Sequence, residues 1–168
     1  MMKNVKKYVL HLLCLVALLG GMTACEGFTV NVGNGNGNEN GGNEEVAVEL
    51  ASCWHLVNLY GTDVDADIYI DFGNDGKFAI YQRTEELEFT VFNGTYTADE
   101  ENSVISGVYD DGTPWLTSYN YVVDEEAKTL TLTSVKTPSE VAVYEHSKLP
   151  ASATANTRCA SVSDVKPL

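Results

Sequence analysis

Three kinds of side chain here could do chemistry: cysteines, histidines and a set of aromatic residues at alternating positions. Cys53 and Cys159 could be joined by a disulfide outside a reducing compartment; the alternative is a buried Cys53 and a free Cys159. A Cys53, His55 and His146 cluster is conceivable as a thiolate or metal site, but two His and one Cys match no familiar ligand spacing. Asp63, Asp65 and Asp67 alternate as at the start of a calcium loop, yet Ile68 stands where the turn needs glycine and Asn74 where a bidentate Glu is needed. The expectation is therefore no catalytic centre, no metal and no cofactor. The strongest constellation is Trp115, Tyr119 and Tyr121, with Tyr96 and Tyr109. Such rings offer an apolar face with one hydrogen-bonding tip, which suits sterol-like, heterocyclic or sugar ligands; core packing would give the same pattern.

Those residues need elements to hold them, and the sequence supplies short alternating runs. Strands are predicted over Ser52 to Tyr60, Ala66 to Phe72, Lys77 to Arg83, Glu88 to Thr97, Ser103 to Tyr109, Trp115 to Val123, Thr129 to Val135 and Glu140 to His146. Asn74-Asp75-Gly76 and Asp110-Asp111-Gly112 carry the residues that accept positive φ in tight hairpins. A meander of this length would leave bare edges unless it closed, so the predicted fold is an all-β, eight-stranded antiparallel up-and-down barrel. Trp54, Leu56, Ile68, Ile70, Phe72, Phe78, Ile80, Phe92, Tyr96, Ile105, Leu130 and Leu132 share its inner face. A barrel of this size holds either packed side chains or one small ligand.

The flanks have a different character. Lys3, Lys6 and Lys7 precede an apolar run from Tyr8 to Leu19, the pattern of an export signal and too short for a permanent span. Residues 25–45 are dominated by Gly and Asn and can build no core, so they form a flexible tether. The tail over 148–168 is rich in Ala, Ser and Thr, and is expected to be poorly ordered unless Cys159 ties it down. The domain plan is a signal over 1–24, the tether over 25–45, the barrel over 46–147 and the tail. The whole chain carries a net charge of −14, and removing the three signal lysines leaves seven Lys and Arg against 24 Asp and Glu, a charge of −17. That disfavours nucleic acid, whose recognition requires clustered cations, and also disfavours docking on anionic lipid.

Two resemblances add to this. Met22-Thr23-Ala24-Cys25 resembles the lipobox of bacterial lipoproteins, with Met22 where Leu is usual. The resemblance implies cleavage before Cys25 and lipid on its thiol, hence a membrane anchor at the cell envelope, expected at the outer membrane and facing either the periplasm or the cell surface. Several acyl chains at about 0.8 kcal/mol per buried CH₂ would hold stably. From Leu50 to His146 the chain resembles the lipocalin-like domains of many bacterial lipoproteins. The residues that carry this are Ser52-Cys53-Trp54-His55-Leu56 in place of the G-x-W opening, and Phe72-Gly73-Asn74-Asp75-Gly76-Lys77-Phe78 like the F-x-x-D-G-x-F hairpin. Gly94-Thr95-Tyr96, Tyr109-Asp110-Asp111-Gly112, Tyr119-Asn120-Tyr121 and Leu130-Thr131-Leu132-Thr133 follow in the family's order. His146 stands near where an arginine would cover the tryptophan, and Ser52 replaces the usual glycine.

The expected function is a tethered, non-enzymatic barrel binding a small apolar or aromatic ligand. The alternative is an interaction module whose packed barrel offers acidic loops (Asp63 to Asp67, Asp99 to Glu101, Asp110-Asp111) to a basic protein, as an assembly factor or inhibitor would.

Overall fold

Apolar residues at every second position let one face of a strand be buried while the other stays wet. In the computed structural model, which describes residues 49–83, 88–161 and 163–168, that pattern produces β1 (Cys53–Leu59), β2 (Thr62–Asp63), β3 (Asp67–Phe72), β4 (Lys77–Arg83), β5 (Phe89–Asp99), β6 (Val104–Tyr109), β7 (Tyr119–Asp124), β8 (Thr129–Ser134) and β9 (Val141–His146). A short helix α1 (Ala151–Ala155) and β10 (Thr157–Cys159) follow. The proposed signal, Cys25 and the tether lie outside the described residues.

Setting β2 aside, each strand from β1 to β9 pairs antiparallel with the next, and β9 returns to β1. The fold is therefore a closed, eight-stranded antiparallel meander barrel, as the alternation predicts. Register brings the inward residues opposite one another: Trp54 faces Ile70, Ile70 faces Ile80, and Ile80 faces Phe92. These side chains form one buried core with Leu56, Phe72, Phe78, Ile105, Tyr109, Leu130, Leu132 and Tyr144. Gly76 (φ 76°) and Gly112 (φ 82°) make the two expected turns in the left-handed region. A further turn at Tyr60-Gly61, both at positive φ, folds β2 back on β1.

Three expectations are corrected. The run from Trp115 is no strand until Tyr119: Val108 bridges Pro114 and the Trp115 amide donates to the Gly107 carbonyl, so 115–118 folds back over β6. The tail does not hang loose. Ala153 of α1 packs on Ala79, Tyr81 and Phe89 outside the barrel, and β10 runs parallel to the start of β5. Third, Cys53 is a free thiol, and Cys159, which is not free, is bonded elsewhere. Between β1 and β10 stand β3, β4 and β5, and at about 4.8 Å per strand the two Cα atoms exceed the separation of about 7 Å that a disulfide tolerates. Burial pushes the Cys53 thiol up to about 12, with the Asp71 carboxylate adding to the rise and a backbone hydrogen bond at Trp54 opposing it. Since only thiolate reacts, iodoacetamide at mildly alkaline pH should modify Cys53 on the order of a hundredfold more slowly in the folded protein than in urea. Equal rates would contradict its buried placement.

Candidate ligand-binding site

One end of the barrel is filled and the other is hollow. At the filled end Trp54 is fully buried, its indole N–H donates to the Leu50 carbonyl at 3.0 Å, and the His146 ring meets it edge-on at 5.7 Å. His146 thus covers the tryptophan, whereas His55 sits on the outer face, stacked on Tyr69 at 4.5 Å with Nε2 3.0 Å from the Ala66 carbonyl. The Cys53, His55 and His146 trio is not brought together.

The hollow end is made by two irregularities. A bulge at Val57 shifts the β1–β9 register between Leu56 and Asn58, so Leu56 lies opposite Tyr144 and Leu59 opposite Ala142, both turned inward. Second, β6 and β7 pair only through Val104↔Asn120 and Ile105↔Tyr119, so they part toward the mouth. The 115–118 segment borders this opening and is tied to the next loop, where Lys136 Nζ donates to the Leu116 carbonyl at 2.7 Å.

The result is a cavity of about 360 Å³. Leu56, Leu59, Ile68, Leu132, Val141 and Ala142 give it aliphatic walls, and Tyr60, Gln82, Tyr119, Ser134, Glu140 and Tyr144 add polar atoms. Gln82 faces inward because it pairs with inward-facing Ile68, and its buried side-chain oxygen has no hydrogen-bond partner. A buried amide oxygen without a partner carries a desolvation cost that a ligand donor would remove. Ser134 Oγ, by contrast, already accepts from the Thr137 amide at 3.0 Å. Burial pushes the Tyr119 phenol up to about 12, with Glu140 and Tyr60 adding to the rise, and burial raises Tyr144 further. Both phenols stay protonated at neutral pH, able to donate and accept hydrogen bonds.

The five aromatic residues picked from sequence do not form one surface. Tyr119 alone among them lines the cavity. Trp115 is buried in the wall against Phe78 and Tyr119, its indole N–H without a partner. Tyr109 packs on Phe78 and Phe92. Tyr96 belongs to the far end, its ring on Phe72 and its hydroxyl donating to the Gly73 carbonyl at 2.9 Å; Tyr121, raised by partial burial and then by the Glu100 and Asp99 carboxylates, lies there too. Sequence reasoning missed Gln82, although an amide two positions beyond inward Ile80 was a usable signal.

The acids of the alternative reading are partly engaged. Asp67 takes a two-nitrogen contact from Arg83, and Asp63 accepts from Asn58. Lys166 Nζ lies 2.6 Å from Asp111. Partial burial pushes Asp111 up, but hydrogen bonds from Lys166 and Thr113 outweigh it and leave the carboxyl below its ordinary value.

No protein-family model and no curated protein matches the chain. Among solved structures it is similar to a DUF4847 family protein from Bacteroides vulgatus, at 16% identity and a TM-score of 0.44, covering 65% of this chain and 100% of that one.

Proposed function

We propose that this barrel is a non-enzymatic carrier or sensor, lipocalin-like in kind, that takes a small apolar or aromatic ligand with one hydrogen-bonding group. The observation that carries the reading is the aliphatic cavity with the unpartnered Gln82 side-chain oxygen at its wall. The lipobox resemblance supports a lipid anchor on Cys25 at the cell envelope. A tether of some twenty Gly- and Asn-rich residues has a root-mean-square reach of about 25 Å, so the barrel would sample ligand close to the membrane. An acidic docking module is less favoured, because Asp67 and Asp111 already have cationic partners within the chain.

Fluorescence titration with N-phenylnaphthylamine, a neutral apolar ring system, tests the capture reading. Blue-shifted emission is expected on binding. Ala142→Phe, which fills the cavity from a small inward position, should weaken binding by about tenfold, the ratio that about 1.4 kcal/mol produces. The variant's thermal melt shows that it still folds. Failure of the probe to bind, or binding indifferent to Ala142→Phe, would sink the proposal.

A further inference from the structure

The cavity has one wall that is not part of the barrel. β10 pairs with the stretch of β5 that β6 leaves unpaired, and from there the chain reaches the mouth, where Lys166, Pro167 and Leu168 line the cavity. Leu168 is 6% exposed and packs in the barrel core, though it belongs to no strand. The Tyr109 hydroxyl holds it at both polar atoms, accepting from its amide N–H at 3.0 Å and donating to its main-chain oxygen at 3.1 Å. Lys166 adds the ion pair to Asp111 and lies 5.4 Å over the Tyr109 ring. One aliphatic side chain, one main-chain unit and one ion pair therefore close this side of the mouth.

We propose that Lys166–Leu168 is an internal occupant of the ligand site, and that the external ligand displacing it has the same chemistry: a branched apolar side chain next to an amide, as in a short apolar peptide or an N-acyl amino acid. The inference rests on the capture reading and deepens it. Tyr109 accepts one N–H and donates one O–H to whatever sits beside it, and the pocket beyond takes a leucine-sized group. With the strap out, the Gln82 amide and the Tyr109 hydroxyl are both open to the incoming molecule. Because the ligand displaces the strap, apparent affinity is lowered by the fraction of molecules in which the strap is closed.

Two measurements on the full chain separate the parts of this proposal. Hydrogen exchange reads the strap without any ligand. The Leu168 amide should exchange at least about tenfold faster than those of Ile80 and Leu132, because it opens locally rather than with the barrel. Exchange at the core rate would make the segment a fixed wall and overturn the proposal, while leaving the capture reading intact. The second measurement is N-phenylnaphthylamine binding to Leu168→Ser and to Asp111→Asn. Each should bind about tenfold more tightly than the unaltered protein, as expected when a mostly closed strap is released. An amidated Val-Lys-Pro-Leu peptide should then compete with the probe in Leu168→Ser. Affinities unchanged in both variants, or no competition by the peptide, overturn the inference. If the probe fails to bind any form, the capture reading fails, and with it the ligand class.

Discussion

Trp54→Ala is expected to lower stability by about 3–5 kcal/mol, the range for removing a large buried aromatic side chain. The indole is fully buried where β1 meets β3 and β9, packs against Ile70 in register, and hydrogen-bonds the Leu50 carbonyl. A domain of this size has about 5–15 kcal/mol in all, so the variant should sit close to unfolding. Trp54→Phe keeps most of the apolar volume and loses the N–H bond, and should cost less than half as much. His146→Ala should cost under about 1 kcal/mol, since its exposed ring contributes one edge contact. Urea denaturation of the three variants checks the order. An alanine variant within about 1 kcal/mol of the parent would mean that the filled end does not hold the barrel together.

How far the sequence discloses this fold depends on whether a residue's neighbours are set by local pattern or by distant packing. The eight barrel strands follow from alternation and from the glycine turns, and β4 runs over the predicted residues, Lys77–Arg83. The tail could not be read that way. Thr157-Arg158-Cys159 has no apolar alternation, and its strand exists because β6 leaves an edge of β5 open beside it. One local signal did point to a covering layer. Phe78-Ala79-Ile80-Tyr81 is apolar on both faces, and a strand buried on both faces needs something on each. That cover is α1, with Ala153 on Tyr81 and Phe89. The candidate site was only partly legible, because the aromatics that alternate along the strands spread over both ends of a tall barrel. Tyr96 and Tyr119 both face inward, yet Tyr96 bonds Gly73 at the filled end and Tyr119 lines the mouth. Alternation tells which face a side chain takes and nothing about its height in the barrel. Nor does it reveal a bulge such as Val57, which adds Leu59 to the lining.

Gly94→Ala should be about as damaging as Trp54→Ala, at about 3 kcal/mol or more, and for the opposite reason: no room rather than lost contact. A Cβ at Gly94 would run into the Val108 carbonyl oxygen of β6 and lie 2.7 Å from the Phe78 ring of β4. The ring could shift, but the carbonyl belongs to the β5–β6 ladder and can move only by breaking it. Gly107 sets up the contrasting case. There the obstructing atoms are those of the Trp115 indole, with Cζ2 at 2.6 Å, and a side chain can be shortened. Gly107→Ala alone should therefore destabilise strongly, while Gly107→Ala with Trp115→Leu should recover part of the loss, a non-additivity measurable in a double-mutant cycle. Gly94→Ala with Phe78→Leu should recover little, because the carbonyl remains. The pairing also bears on the cavity. Trp115 lies over Gly107 at the start of the loop that borders the mouth, so the Gly107 and Trp115 double variant should alter N-phenylnaphthylamine binding even where stability is regained. Recovery of stability in the Gly94 pair to the same extent as in the Gly107 pair would show that the β5–β6 ladder yields as easily as a side chain, against the close approach seen here.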